Sequence, residues 1–399
     1  MKVLITGMDG YIGWPLAMYL ARRDFTVLGV DHFARRRWVE EVGGQSALPL
    51  ADMTRRLELF KARFGRSIEF LEGDLLDAAF LDGCLSRWRP DAIVHLGEQA
   101  SAPYSMMDLE HASFTQQNNV IGTLNLLFSM TRFCPEAHLV KLGTMGEYGT
   151  PNVSIPEGFF TIDRGGRRDT LPFPRQGGSW YHLSKIHDSH NIAFACKVWG
   201  LKSTDLMQGP VYGISTEETD ADEGLATRFD FDAVFGTIVN RFCAQAVMGY
   251  PLTPYGKGSQ KRGFIQLSDS LRCIELSLLH PPKKGEYRVF NQFTEIYSVN
   301  EIAEIVAMAG RRLGIPVEVR PLDNPRIELE EHFYEAEHEA LLKLGLRPHY
   351  LPEALPNILQ KLRKYRDRLE AKREQIAPKV LWQGEAAGSE QAYPFRKAR

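Results

Sequence analysis

The sequence predicts an α/β fold, a doubly wound parallel sheet followed by a smaller C-terminal α/β lobe. Three observations predict it. Short, continuously apolar runs alternate with helix-compatible stretches through the first half of the chain, which suits strands buried on both faces of a parallel sheet. A turn with three glycines stands between the first such run and the stretch after it. The 399 residues exceed the usual size of one core, so a second lobe is expected.

Taken in order, residues 3–5, 26–30, 68–71, 92–96 and 139–142 read as strands. Stretches such as 15–23 and 123–133 carry helical spacing between them, and repeated strand–helix–strand units build a doubly wound sheet. A sixth strand near 203–207 is expected to close it. Two long segments interrupt the pattern: a charged, mostly helical excursion over 33–66, and a loop over 150–179 rich in Gly, Pro and Arg. The acidic cluster within 215–232 (Glu217, Glu218, Asp220, Asp222, Glu223) reads as a solvated loop. Helices follow near 235–249, 268–279, 298–313 and 352–374. The expected division is a domain over 1–208, a lobe made mainly of 209–376, and a polar, loosely held tail over 377–399.

Composition narrows the function classes. Lys and Arg number 48 against 50 Asp and Glu, for a net charge of −2, so a nucleic-acid or anionic-membrane role would need local patches. No apolar run approaches the roughly 18 residues that a membrane span needs. Gly7, Asp9, Gly10 and Gly13 interrupt the apolar N-terminus and argue against a secretory signal. The cysteines at 84, 134, 196, 243 and 273 are scattered, with no CxxC pair. That argues for a reducing, cytoplasmic setting and against a disulfide framework or a metal site.

Gly7-Met8-Asp9-Gly10-Tyr11-Ile12-Gly13 follows the first strand and opens a helix at Trp14-Pro15. Glycines spaced this way allow a tight turn and a close backbone approach to a pyrophosphate at the helix N-terminus. Pro15 is tolerated in a first helical turn. Asp31 ends the second strand, 18 residues after Gly13, where a carboxylate accepts hydrogen bonds from ribose hydroxyls and repels a 2′-phosphate. NAD is therefore the expected cofactor. Arg35, Arg36 and Arg37 leave a second reading, in which an arginine holds the NADP phosphate. Asp74-Leu75, after the third strand, is placed to meet the adenine.

Tyr181 and Lys185 stand four residues apart, on one face of a helix. A lysine ammonium beside a phenol favours the phenolate, which lets the tyrosine act as a base. Thr144 at the end of the fifth strand completes a set. His187 and His190 follow on the same helix, and their spacing favours a structural role over a metal.

These motifs, with the longer blocks GEQ at 97–99, SAPYSM at 101–106, NNVIGTLN at 118–125, VKLGTMGEYGTPN at 140–152, YHLSKIHDSHNIA at 181–193 and RVFNQFTE at 288–295, resemble those of the extended short-chain dehydrogenase/reductases that act on nucleotide sugars. Among these the chain looks most like the UDP-sulfoquinovose synthase family, over nearly its whole length. The resemblance implies a Rossmann cofactor domain and a homodimer built on a four-helix interface that includes the helix of Tyr181. The apolar residues of 180–199 suit that interface or a core-facing stripe equally. It also implies a reaction: C4 of UDP-glucose is oxidised by NAD, water is eliminated across C5–C6, sulfite adds at C6, and C4 is reduced again. Tyr181 would act as the base with Thr144 and Lys185 assisting. Glu147 would be the additional acid/base, and His182 a second candidate as proton carrier or sulfite contact. Glu98, Asn118 and Asn119 would join the cofactor set, which includes Gly7, Asp9, Gly10, Tyr11, Ile12, Gly13, Asp31, Arg35, Arg36, Asp74 and Leu75. Arg262, Arg326 and Thr237 would hold the sugar nucleotide, with Gln208, Gln99 and Tyr104 lining its pocket.

One departure stands out. The family carries an arginine after GEQ, and this chain has Ala100. Losing a guanidinium where a small anion should bind removes a charge-assisted donor. Arg167, Arg168 or Arg175 of the 150–179 loop are candidate replacements. Ala100 keeps open a nucleotide-sugar dehydratase, an epimerase, or a synthase with another nucleophile. A non-catalytic NAD-binding scaffold is the remaining alternative, which the presence of Thr144, Tyr181 and Lys185 opposes.

Overall fold

The computed structural model describes residues 1–326 and 333–382. In chain order its strands are β1 Lys2–Thr6, β2 Thr26–Asp31, β3 Glu69–Glu72, β4 Ala92–His95, β5 His138–Thr144, β6 Phe159–Arg164, β7 Arg167–Pro172, β8 Lys202–Gln208, β9 Val211–Tyr212, β10 Lys261–Gln266, β11 Tyr287–Gln292 and β12 Glu295–Ser298. Seven of them form one sheet in the order β3-β2-β1-β4-β5-β8-β11, with every neighbouring pair parallel. Val3, Leu4 and Ile5 of β1 are fully buried, the burial that continuous hydrophobicity implies. Strand order reverses between β1 and β4, and such a switch point opens a crevice at the carboxyl ends of the strands.

Three expectations need correction. β8 does not close the sheet, because β11 pairs outside it from Tyr287↔Ser203 to Gln292↔Gln208. The buried polar side chains of β11 are satisfied: Asn291 donates to the Glu337 carbonyl at 2.7 Å and Gln292 to that of Ser270 at 3.2 Å. That polarity hid the strand from a hydrophobicity reading. The 150–179 segment is no plain loop, since β6 and β7 form an antiparallel hairpin. Its turn places Gly165 and Gly166 at φ +62° and +74°, a geometry that two glycines accept. The acidic segment is docked in part: Glu218 is buried and receives Arg22 at 3.0 Å, while Glu217, which also pairs with Arg22, is exposed.

The second lobe packs helices Ile238–Met248, Val299–Arg312 and Leu351–Arg363 through Phe242, Ile302, Val306, Leu355 and Leu359. A small sheet has the order β9-β10-β12. The last of these helices stops at Arg363, and a short one follows over Arg366–Glu370. Residues 377–382, expected to be loosely held, are tied down where Trp382 donates its N–H to the Pro325 carbonyl at 3.0 Å. The rest of the expected tail, 383–399, lies outside the described residues. Among the described residues no helix is long and apolar enough to cross a membrane. All five cysteines are buried and unpaired.

The 33–66 excursion is pinned to the glycine turn by one carboxylate. Asp9 receives Arg36 of helix Ala34–Glu41 at 2.6 and 2.7 Å, and Arg56 of helix Met53–Phe64 at 3.0 Å. Arg56 is fully buried, and that burial pushes its guanidinium down to about 10 against the pull of Asp9. Removing one partner of a buried pair strands the other charge, at a cost of about 3–5 kcal/mol. Arg56→Ala is expected to lose that much stability in denaturant unfolding. Arg36→Ala, at a partly exposed position, should lose about 1 kcal/mol. An Arg56→Ala protein as stable as the wild type would contradict the clamp.

Candidate active site

The crevice at the switch point is walled by the loops after β1, β2, β4, β5 and β8, by helix Trp180–Trp199, and by residues 233–237 and Arg326. Gly7, at φ +74°, is one of its tight points. A Cβ there would stand 2.6 Å from the Leu96 carbonyl oxygen across the switch point, and one on Gly13 would stand 2.2 Å from the Gly7 carbonyl. The helix that starts at Gly13 has no side-chain cap; the Trp14 and Leu16 N–H groups go to the Gly10 and Ile12 carbonyls and Pro15 has none, so the Gly13 N–H is the one placed for an anion. Asp31 lines the crevice at the end of β2 and accepts the N–H groups of Asp9 at 2.8 Å and Phe33 at 2.7 Å. Burial raises its carboxyl above the ordinary value, and the neighbouring charge of Asp9 adds to this. A backbone cradle that side chains would fill, with a carboxylate at the ribose end, fits NAD.

The two arginines beside Asp31 are engaged by carboxylates, Arg35 by Asp230 at 2.9 Å and Arg36 by Asp9. This pairing disfavours a 2′-phosphate. Tyr11, Ile12, Arg35, Asp74, Leu75, Glu98 and Asn118 line the crevice as expected. Asp9, Arg36 and Asn119 do not; they act from behind it. Asn119 is buried, donates to the Gln99 carbonyl and Ser184 Oγ at 3.0 and 2.9 Å, and braces a one-turn π-helix over Gln117–Ile121. Such turns often mark functional positions.

At the reaction end, Ser179 caps helix Trp180–Trp199 by accepting the His182 N–H at 3.2 Å. Its first turns then carry Tyr181, His182 and Lys185 into the crevice. Thr144, at the end of β5, lines the crevice with Tyr181. Burial holds Tyr181 above its ordinary pKa, Glu147 adds to this, and Lys141 and Thr144 oppose it. The Lys185 ammonium is in contact with the Glu98 carboxylate. Burial pushes Lys185 itself down to about 8.

Glu147 is not brought into the crevice. It closes a capping box with Thr144 and is fully buried against Lys141 at 3.2 Å, Ser189 at 2.9 Å and Arg175. The imidazole of His182 takes the neighbouring space instead. A Cβ on Gly146 would lie 2.3 Å from its Nε2, and Ser179 Oγ holds its Nδ1 at 3.0 Å.

Gln208 and Thr237 line the sugar side, Gln208 held by Ser270 at 2.8 Å and Thr237 donating to the Val211 carbonyl at 3.0 Å. Gln99 and Tyr104 are buried beneath the wall, Gln99 bonded to Thr115 and Tyr104 to Glu41. Arg262 sits on β10, donates to its neighbour's carbonyl, and does not line the crevice. Ala100 does line it. Arg167 and Arg168 are exposed on β7 and Arg175 is committed to Glu147 and Tyr287, so none of the three replaces the missing guanidinium. Sequence reasoning missed Arg56, Lys141 and Trp382. Lys141, an isolated charge inside a buried strand run, was the one readable signal.

The sequence model of the NAD dependent epimerase/dehydratase family matches residues 3–291. Among solved structures, the UDP-glucose 4-epimerase of Thermotoga maritima with UDP-glucose superposes with a TM-score of 0.70 at 20% identity, covering 91% of this chain and 99% of that one. That of Bifidobacterium longum with NAD⁺ and UDP gives 0.69 at 19%, covering 92% and 99%. Both show the fold. The chain is 52% identical over 382 residues to the chloroplastic UDP-sulfoquinovose synthase of Spinacia oleracea, covering 96% of this chain and 79% of the relative. It is 47% identical over 384 residues to the UDP-sulfoquinovose synthase of Sulfolobus acidocaldarius, covering 96% and 98%. The chain belongs to the NAD dependent epimerase/dehydratase family, and within it to the UDP-sulfoquinovose synthases.

The cradle is tested through Gly7. Gly7→Ala is expected to weaken NAD binding at least about tenfold, because a Cβ at positive φ must also push β1 from β4. Gly83→Ala, where a Cβ meets nothing within 4 Å, should bind NAD normally by fluorescence titration. Equal affinity in the two variants would refute the cradle.

Proposed function

We propose that the chain makes UDP-sulfoquinovose from UDP-glucose and sulfite in one crevice, with NAD recycled within each turnover. The observation that carries this reading is the arrangement of Thr144, Tyr181, Lys185 and His182 at one end of a dinucleotide cleft, with an imidazole over Gly146. Bound NAD⁺ supplies the acceptor for the C4 hydride, returns it at the end, and brings a positive ring that favours the Tyr181 phenolate. Tyr181 takes the C4 hydroxyl proton, with Thr144 orienting the oxygen. Lys185 and Glu98 form a near-neutral pair beside it.

The resulting 4-ketone acidifies the C5 proton. His182 is placed to remove it and to hand it to the C6 hydroxyl, which leaves as water. Bisulfite then yields its proton to His182 as its sulfur bonds to C6 of the enone, His182 passes that proton to C5, and Tyr181 returns one to the C4 oxygen. While it holds the proton taken from bisulfite, His182 offers the cationic donor that the family's arginine supplies and Ala100 cannot. This reading moves the additional acid/base from Glu147 to His182, since a carboxylate bound by a lysine, an arginine and a serine is poorly placed to exchange protons with a sugar.

Diphosphate contacts fall to the helix N-terminus for NAD and to Arg326 for UDP. A homodimer is supported by the outer faces of helices Gly122–Phe133 and Trp180–Trp199, which expose Phe128, Phe194, Val198 and Trp199. The Phe128 and Trp199 rings already meet at 4.9 Å. Unpaired buried cysteines support a reducing compartment such as the cytoplasm.

The test is mass spectrometry of wild-type and His182→Asn protein with UDP-glucose and NAD⁺, with and without sulfite. The wild type should give a product heavier by sulfite minus water, formed only with sulfite. His182→Asn should lower its formation by about 10²–10⁴-fold. Loss of water alone, or a shifted sugar configuration without mass change, would sink sulfite as the substrate. Full product formation by His182→Asn would overturn the histidine's role.

A further inference from the structure

We infer that residues 375–382 form a strap across the sugar-nucleotide end of the crevice, and that Trp382 positions Arg326 there to receive the diphosphate. This rests on the reading of the crevice as a UDP-sugar site.

The strap is tied at two points. The Gln375 carbonyl accepts the Ala233 N–H at 2.9 Å, and the Trp382 N–H donates to the Pro325 carbonyl at 3.0 Å. Ala233 belongs to the crevice wall and Pro325 directly precedes Arg326, which lines the same crevice. The segment therefore links residues 233–237 to the loop carrying Arg326. A small cavity beneath it is bounded by Pro103, Val234, Tyr255, Pro325 and Trp382, so the strap lies directly on the wall.

Trp382 does a second thing. Its ring stands 5.3 Å from the Arg326 guanidinium carbon. A guanidinium on an indole is held through its flat face, which fixes the plane in which its N–H groups point. Planar donors of that kind match the oxygens of a diphosphate. Asn324 Oδ1 accepts the Arg326 backbone N–H at 3.1 Å and steadies the same turn. The NAD end of the crevice, built on Gly7, Gly13 and Asp31, has no part in the strap, so the two ligands should respond differently to its loss.

The experiment measures UDP binding by calorimetry and UDP-glucose steady-state kinetics for wild type, Trp382→Ala, Trp382→Phe, Arg326→Ala and the double variant Trp382→Ala/Arg326→Ala. NAD affinity and thermal melting are recorded for each. Trp382→Ala is expected to raise the UDP Kd and the UDP-glucose KM about tenfold, the size of a desolvated cation–π contact. Its kcat and NAD affinity should stay within about twofold. Trp382→Phe should recover most of the loss, and Trp382→Ala should cost nothing further once Arg326 is gone. An unchanged UDP Kd in Trp382→Ala, or an equal loss with and without Arg326, would overturn the strap. Failure of the wild type to bind UDP would instead overturn the UDP-sugar reading, and the strap's role with it.

Discussion

A lysine with no access to water holds the reaction end of this molecule together. Lys141, in the middle of β5, touches Glu147 at 3.2 Å, Asp205 of β8 at 3.5 Å, Ser189 at 2.6 Å and the Lys185 carbonyl at 3.0 Å. Burial works against its charge, but Asp205 and Glu147 outweigh that and hold it above its ordinary pKa. Arg175 closes the cluster from the 150–179 segment, and Tyr287 of β11 closes it through Asp205 at 2.5 Å. A buried ion cluster is stable only when each member has partners, and removing one strands the rest. The strand end bearing Thr144, the helix bearing Tyr181, and the seventh strand thus share one geometry. A catalytic set tolerates little displacement, and this fixes its supports.

The two halves of the crevice use different means. The cofactor half is a matter of backbone: a glycine turn pressed against the facing loop, an uncapped helix, and one carboxylate at the ribose. The substrate half is made of side chains carried by separate elements, including Gln208 at the end of β8, Thr237 before helix Ile238–Met248, and Arg326 beside the strap. Asp9 joins the excursion helices to the first half. Tyr11 joins the second lobe to the same turn, donating to the Gly213 carbonyl at 2.5 Å. Cofactor grip and lobe placement therefore meet in seven consecutive residues.

The fold was legible because parallel strands buried on both faces announce themselves as apolar runs, and a glycine turn between strand and helix has few other uses. β11 was not legible, since its buried Asn291 and Gln292 are satisfied by backbone groups that only the folded chain brings near. The positions of Tyr181, Lys185 and Thr144 followed from spacing, because four residues on a helix is a geometric statement. The electrostatics of the site did not follow. Spacing put Lys185 next to Tyr181, whereas the contact that governs it comes from Glu98, 87 positions away in the chain. A motif position likewise carries no information on which way the Glu147 carboxylate faces, and it faces Lys141 and Arg175. His182 gained weight only when the space above Gly146 was seen to be filled by its ring.

The central claim is an internal redox cycle in which the hydrogen taken from C4 is the hydrogen returned to C4. It is tested most directly with UDP-glucose deuterated at C4, turned over in light water with sulfite and a large excess of unlabelled NAD⁺. The product is expected to keep its deuterium at C4. A product that has lost it, with the label in solution or in the free nicotinamide pool, would contradict the cycle.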